Sequence, residues 1–335
     1  MSNNRRKFIK TAGQTALSLG FASTFAVPMI GCSSKPKKDE STVNEESSAI
    51  KTSKELFFDI SLAQWSLNRQ LRAGELDNLN FAQTAKDRFD IHAVEYVNQF
   101  FADKAKDMDY LGEMKKRTDD LGMTNVLIMI DREGGLAELD AAKRNEAIEN
   151  HYKWVEAAKF LGCHSIRVNA HSSTGTAEEV AQAAVEGLGK LTEFGEQHGV
   201  SIIVENHGGY SSNGQWLSGV IAQVGKDMCG TLPDFGNFCI ERGRNENDEP
   251  ICLEEYDRYK GTKELMPYAK GVSAKANKFD ENGDEPEIDF RRLLKIVKDA
   301  NFTGYIGIEF EGPTDAYEGI QATKDLLIKA GSELS

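Results

Sequence analysis

Residues 180–209 read VAQAAVEGLGKLTEFGEQHGVSIIVENHGG, and this stretch decides the fold. Val180, Ala184, Leu188 and Leu191 recur at the spacing that places them on one face of a helix. Gly199 follows the run as a left-handed C-terminal cap would, and Ser201–Val204 is a short apolar strand. A helix, a glycine stop and a strand buried on both faces are the repeating unit of a parallel α/β sheet.

The unit recurs in both directions. Strand candidates are Phe57–Ala63, Ala93–Val97, Asn125–Ile130, Ser165–Asn169, Ser201–Val204, Gly230–Leu232, Gly271–Lys275 and Tyr305–Ile308. Gly122 and Gly162 also follow helical runs and precede strands, and Phe290, Leu294 and Val297 stripe the helix after the seventh strand. Eight βα units in about 280 residues predict a single-domain α/β (β/α)8 TIM barrel. No GxGxxG follows the first strand to favour a dinucleotide fold.

The first 54 residues do not fit that pattern. Asn4-Arg5-Arg6-Lys7-Phe8-Ile9-Lys10 is a twin-arginine pattern, and a diluted apolar run from Thr11 to Ile30 leads to Met29-Ile30-Gly31-Cys32, which resembles a lipobox. Residues 1–31 therefore read as an export signal, with Cys32 as the lipidated residue. Cleavage near Phe25-Ala26, giving a soluble periplasmic protein, is the alternative. Residues 32–54, rich in Ser, Lys, Glu, Asp and Thr, read as a disordered tether, and 55–335 as the barrel.

The chain of 335 residues has a net charge of −13, and its leader carries basic residues but no acid, so the remainder is more acidic still. Such a surface argues against nucleic acid and against a membrane contact other than a lipid anchor. A small carbohydrate is the expected partner, and a homo-oligomer is left open. Cys239 and Cys252 flank a polar loop and could pair in an oxidising compartment; no CxxC suggests structural zinc.

Barrel side chains alternate between the interior and the helix layer, and chemistry sits at the C-terminal strand ends. In Ser201-Ile202-Ile203-Val204-Glu205-Asn206-His207, Ile202 and Val204 share one face while Glu205 and His207 share the other. Asp234 lies at the exit of the sixth strand. Along Tyr305-Ile306-Gly307-Ile308-Glu309-Phe310-Glu311, the residues Glu309 and Glu311 face the mouth. Clustered acids repel one another unless a positive centre sits among them. A divalent cation would supply it: Mn2+, Mg2+ or Co2+ for oxygen ligands, or Zn2+ if an imidazole joins.

The motifs Val204-Glu205-Asn206-His207-Gly208-Gly209, Asp234-Phe235-Gly236-Asn237 and Gly307-Ile308-Glu309 resemble those of the xylose isomerase-like barrel family. That family includes sugar isomerases, epimerases, inosose dehydratase-type lyases and endonuclease IV. The resemblance covers essentially the whole domain. It implies that Glu205, Asp234 and Glu309 ligate the metal and that the two glutamates shuttle the substrate proton. It also implies a metal-binding His on the seventh strand, where this chain has Val272-Ser273-Ala274-Lys275-Ala276. Either three acids hold the ion, with water and His207, or the Lys275 ammonium stands in its place.

Earlier strands add Gln64, Trp65, Glu95, Arg167, Asn169 and His171 as candidates for binding sugar, with Asn237 and Glu311 from later ones. A tryptophan can stack on a sugar ring, and amides can bond its hydroxyls. The plainer readings are core packing for Trp65, an internal Glu95–Arg167 ion pair and a solvated His171. His151, His164 and His198 read as structural. The expected activity is metal-dependent isomerisation, epimerisation or carbon–oxygen lysis, by proton abstraction next to a carbonyl of a free sugar, glycoside or keto-glycoside. Two alternatives are a non-catalytic sugar-binding lipoprotein and an endonuclease IV-like phosphodiesterase, the latter disfavoured by six histidines and an acidic surface.

Overall fold

The computed structural model describes residues 55–334; the stretches read as export signal and tether, with Cys32, lie outside the described residues. Eight parallel strands form one sheet: β1 (Asp59–Ala63), β2 (Ala93–Val97), β3 (Thr124–Met129), β4 (Ser165–Val168), β5 (Ser201–Glu205), β6 (Cys229–Leu232), β9 (Val272–Ala276) and β10 (Tyr305–Phe310). Two further strands, β7 (Cys239–Arg244) and β8 (Pro250–Glu255), form a separate antiparallel hairpin. The sheet runs β6-β5-β4-β3-β2-β1-β10-β9. Its two ends meet where the Lys270 N–H donates to the Thr231 carbonyl (3.0 Å) and the Ser273 N–H to the Pro233 carbonyl (2.8 Å), closing the TIM barrel. Each of the eight strands expected from the sequence is present, Ala93–Val97 with unchanged ends and the others shifted by at most two residues.

Helices cover the outside of the sheet. Among them α5 (Ala177–His198) starts from a capping box between Thr176 and Glu179, which satisfies two free N–H groups of its first turn. Gly199 ends it with φ +70°, and Gly122 and Gly162 end their helices in the same way. The stripe Val180, Ala184, Leu188 and Leu191 is buried, as are Phe290, Leu294 and Val297.

The strands divide the apolar residues by parity. Leu62, Val94, Ile166, Ile202, Val204, Ile306 and Ile308 join the layer under the helices. A smaller cluster, including Ala63, Ala93, Val97, Leu127, Met129, Ile203 and Leu232, fills part of the barrel interior. Polar side chains are buried there too, among them Glu95, Arg167, Glu205, Lys275 and Glu309, so the interior is not only a core.

The hairpin differs from the sequence expectation of a polar loop. Its strands are short and mostly solvent-exposed, so they carry no alternating apolar face for a sequence reading to detect. Cys239 and Cys252 form a disulfide across it, as their flanking positions suggested.

Candidate active site

Glu205, Asp234 and Glu309 come from the ends of β5, β6 and β10, are buried, and offer oxygen atoms within 4.8 Å of one another. Asn237 Nδ2 donates to Glu205 Oε1 at 2.8 Å, and Arg167 Nε sits 2.9 Å from Glu205 Oε2. The N–H groups of Gly236 and Asn237 both donate to Asp234 Oδ1 at 2.8 Å. Ser273 Oγ donates to Asp234 Oδ2 at 2.6 Å and lies 3.5 Å from Glu309 Oε2, so it bridges two of the acids. Asn206 holds the turn below by bonding the backbone of Asp234 and Asn237.

Two cations face this cluster. Lys275 Nζ lies 2.8 Å from both Glu309 Oε1 and Glu311 Oε2. Its chain runs against Gly236, where a Cβ would come within 2.9 Å of it, so the close approach needs a glycine. Burial alone would lower the Lys275 pKa, but Glu309, Asp234, Glu311 and Glu205 outweigh it and hold the ammonium charged well above its normal range. Arg167 pairs with Asp131 at 2.9 Å as well as with Glu205, and burial is again overcome by those carboxylates.

The acids respond in different ways. Burial raises the pKa of Glu205; Glu309 adds to this, and Arg167 and Lys275 oppose it. Asp234 is raised in the same way by burial, with Glu205 and Glu309 adding and Lys275 opposing. Glu95 lies deeper, packed over Gly307, with Ser61 Oγ donating to it at 2.6 Å and its other oxygen unbonded. Burial pushes it up to about 8, so it is mainly a neutral acid at pH 7. Asp131 goes the other way: burial would raise it, but Arg167 and Gln99 bring it down to about 2.

The donor set fits a divalent ion. Ligand oxygens at about 2.0–2.2 Å from a small cation can stand about 4 Å apart, so a separation up to 4.8 Å needs only a small side-chain shift. Among the described residues, Glu95, Asp131, Glu205, Asp234, Glu309 and Glu311 have ion pairs only with Arg167 and Lys275, which leaves room for added positive charge even with Glu95 neutral. Glu205, Asp234 and Glu309 would hold the ion. Lys275 occupies one oxygen of Glu309 and leaves the other turned towards Ser273 and Asp234.

The remaining candidates divide. Trp65 Nε1 bonds Glu311 at the mouth, and its ring lies 6.3 Å from that of Phe100. Asn169 donates to Asp131 at 3.0 Å, and His171 is exposed beside a cavity. His207 reaches solvent at the rim; the barrel wall, then Arg167 and Lys275, lower its imidazole pKa, so it is neutral at pH 7. Gln64 is a correction: it is fully buried, its amide donates to Asn78 and accepts from the Val97 N–H, and it has no face at the mouth. A second correction concerns the Glu95–Arg167 pair, since Arg167 turns to Asp131 and Glu205 instead. His151, His164 and His198 bond local groups, as their structural reading requires. Asp131 was not singled out, although it follows Asn125–Ile130 as Glu205 follows its own apolar run.

A model of the xylose isomerase-like TIM barrel family matches residues 83–328. An IOLI protein with a bound zinc atom superposes with a TM-score of 0.61 at 16% identity, covering 82% of this chain and 99% of that one. The 3-keto-D-glucoside 4-epimerase YcjR from E. coli superposes with a TM-score of 0.56 at 12% identity, covering 82% and 100%. At such identities the likeness speaks for the fold. The 3'-dehydrocarminate deglycosidase alpha subunit of Microbacterium sp is 44% identical over 48 residues, so this chain spans 14% of the length of that curated relative. With the family motif running through most of the barrel, the chain belongs to the xylose isomerase-like TIM barrel family.

Proposed function

We propose that the protein is a metal-dependent carbohydrate enzyme that moves a proton next to a carbonyl, as an isomerase, epimerase or carbon–oxygen lyase, with an oxidised (3-keto) glycoside as its preferred substrate. The observation that carries this is the meeting of Glu205, Asp234 and Glu309 within 4.8 Å at the exits of three strands. When bound there, Mn2+, Mg2+ or Co2+, or less readily Zn2+, would polarise the substrate carbonyl.

The side chains supply the rest. Glu205, oriented by Asn237 and Arg167, and Glu309, held by Lys275, form a pair of proton carriers: one takes the C–H proton and the other returns it. On a 3-keto glycoside the C2 proton passes to a carboxylate. The electron pair moves into the C1–C2 bond, and the C1–O bond breaks as the leaving oxygen receives a proton. Return of a proton to the same carbon from the opposite face would give epimerisation instead. Neutral His207 can bond a sugar hydroxyl, and Trp65 offers a ring face at the mouth.

Export as a periplasmic lipoprotein anchored through Cys32 belongs to the same proposal. It is supported by the twin-arginine and lipobox-like sequence and by the Cys239–Cys252 disulfide, which suits an oxidising compartment. The functional test is proton NMR of a 3-keto-glucoside in D2O with Mn2+. One carbon beside the carbonyl should acquire deuterium, and Glu205→Gln should slow this at least about 100-fold. Failure to process any keto sugar would overturn the reading.

A further inference from the structure

A cavity of about 920 Å3 lies to one side of the acids. It starts where β4 and β5 leave the barrel, at Asn169 and His207, and its far wall is the disulfide-closed hairpin, through Ile240, Arg242 and Glu254. A single sugar ring over the acids would leave this space unused, since it is near the top of the range of about 300–1,000 Å3 for sites that enclose drug-sized ligands.

Part of its lining is bare backbone. Gly208 and Gly209 form part of the wall, both with positive φ, and a Cβ at either would project into open space, so a flat group can lie against their backbone. Tyr210 adds a ring supported by Trp216, with centroids 6.0 Å apart. Arg132 and Arg242 line the space, and neither guanidinium has a hydrogen bond or ion pair among the described residues. Arg132 is held at φ +63°, which is costly for a side-chain-bearing residue, and it also lines a second cavity beside Asp131. Glu241 and Glu254 on the same wall balance the two arginines, so the lining offers donors and acceptors without net charge.

We propose that this cavity is a subsite for a flat, hydroxylated aromatic group attached to the sugar, contacted by Tyr210, Arg132 and Arg242, and that the substrates are aryl glycosides. The inference rests on the reading that the sugar ring sits over the acids. Guanidinium planes and the tyrosine ring stack on an aromatic face, while Glu241 and Glu254 accept from its hydroxyls. An anionic group such as phosphate would meet those two carboxylates.

The test is calorimetric titration of the purified protein with two unoxidised probes, methyl β-D-glucoside and quercetin 3-O-glucoside, which differ in the attached group. The aryl glucoside should bind at least about tenfold more tightly. Arg242→Ala and Tyr210→Ala, checked for fold by circular dichroism, should each cut that advantage about threefold or more and leave methyl glucoside affinity unchanged. Equal affinity for the two probes, an advantage that both variants retain, or a preference for glucose 6-phosphate lost in Arg242→Ala would overturn the proposal. Neither probe carries a keto group, so binding is read without turnover. A protein that binds the aryl probe through these residues yet exchanges no deuterium in keto sugars would sink the functional reading alone.

Discussion

Replacing Lys275 by Met keeps the length of the side chain and removes its charge. The Lys275–Glu309 pair is buried, with side chains 6% and 5% exposed, whereas Glu311 is 33% exposed. Loss of one partner from a buried pair costs about 3–5 kcal/mol, while the half-open Glu311 pair adds about 0.5 kcal/mol at most. Because Ser273 Oγ still lies 3.5 Å from Glu309 and Glu311 keeps its bond from Trp65, the lower end applies, about 3 kcal/mol at pH 7.5 without metal. The sign follows from the raised Lys275 pKa: its stabilisation is complete at neutral pH and is lost only as pH climbs through that alkaline value. Towards acid Glu311 keeps its charge below the ordinary carboxylate range, because Lys275 lowers its pKa against the effect of burial, so variant and wild type should converge only at about pH 3. Urea unfolding with EDTA, followed by tryptophan fluorescence at both pH values, measures this. Mn2+ should also raise the variant's midpoint more than the wild type's, since the positive centre is missing. A difference under about 0.5 kcal/mol at pH 7.5, or one that does not shrink at about pH 3, would refute the role given to Lys275.

Three further outcomes are expected. Arg167→Met should destabilise the protein by about 3–5 kcal/mol in urea unfolding, because Glu205 and Asp131 both lose their buried partner; a loss near zero would show that the pairs are not coupled to folding. Glu95, raised to about 8, costs native stability as pH rises from the ordinary carboxylate range to that value, by up to about 1.4 kcal/mol per pH unit. Glu95→Gln should lack this slope in metal-free unfolding measured from pH 4.5 to 8, and an unchanged slope would contradict the burial argument. The double variant Cys239→Ser with Cys252→Ser opens a loop whose closure is worth up to about 3 kcal/mol in the chain-entropy model, but the hairpin stands apart from the sheet. Trypsin should therefore cut within residues 239–255 while the barrel's melting temperature moves little; a large fall in that temperature would tie the hairpin to the core.

What the sequence made legible follows from parity. Ile202 and Val204 against Glu205, and Ile306 and Ile308 against Glu309, need only a strand's period of two and a barrel's two faces, and both splits hold in the structure. Asp131 obeys the same rule and was equally readable. The partners of Arg167 were not, because Asp131, Glu205 and Glu95 all lie within the interior and only the rotamer decides among them. Gln64 follows its strand like a mouth residue, but the chain turns there into a 3-10 helix that carries the amide inward to Asn78. The hairpin left no apolar signature, only a pair of cysteines.

Whether Glu205, Asp234 and Glu309 share one cation is decided most directly by equilibrium dialysis of the purified protein against Mn2+, with the bound metal counted. Wild type should hold one ion per chain, and Asp234→Asn, with its fold confirmed by circular dichroism, should hold none at the same free concentration. Substoichiometric binding by wild type at saturating Mn2+, or equal binding by the variant, would contradict a three-carboxylate metal centre.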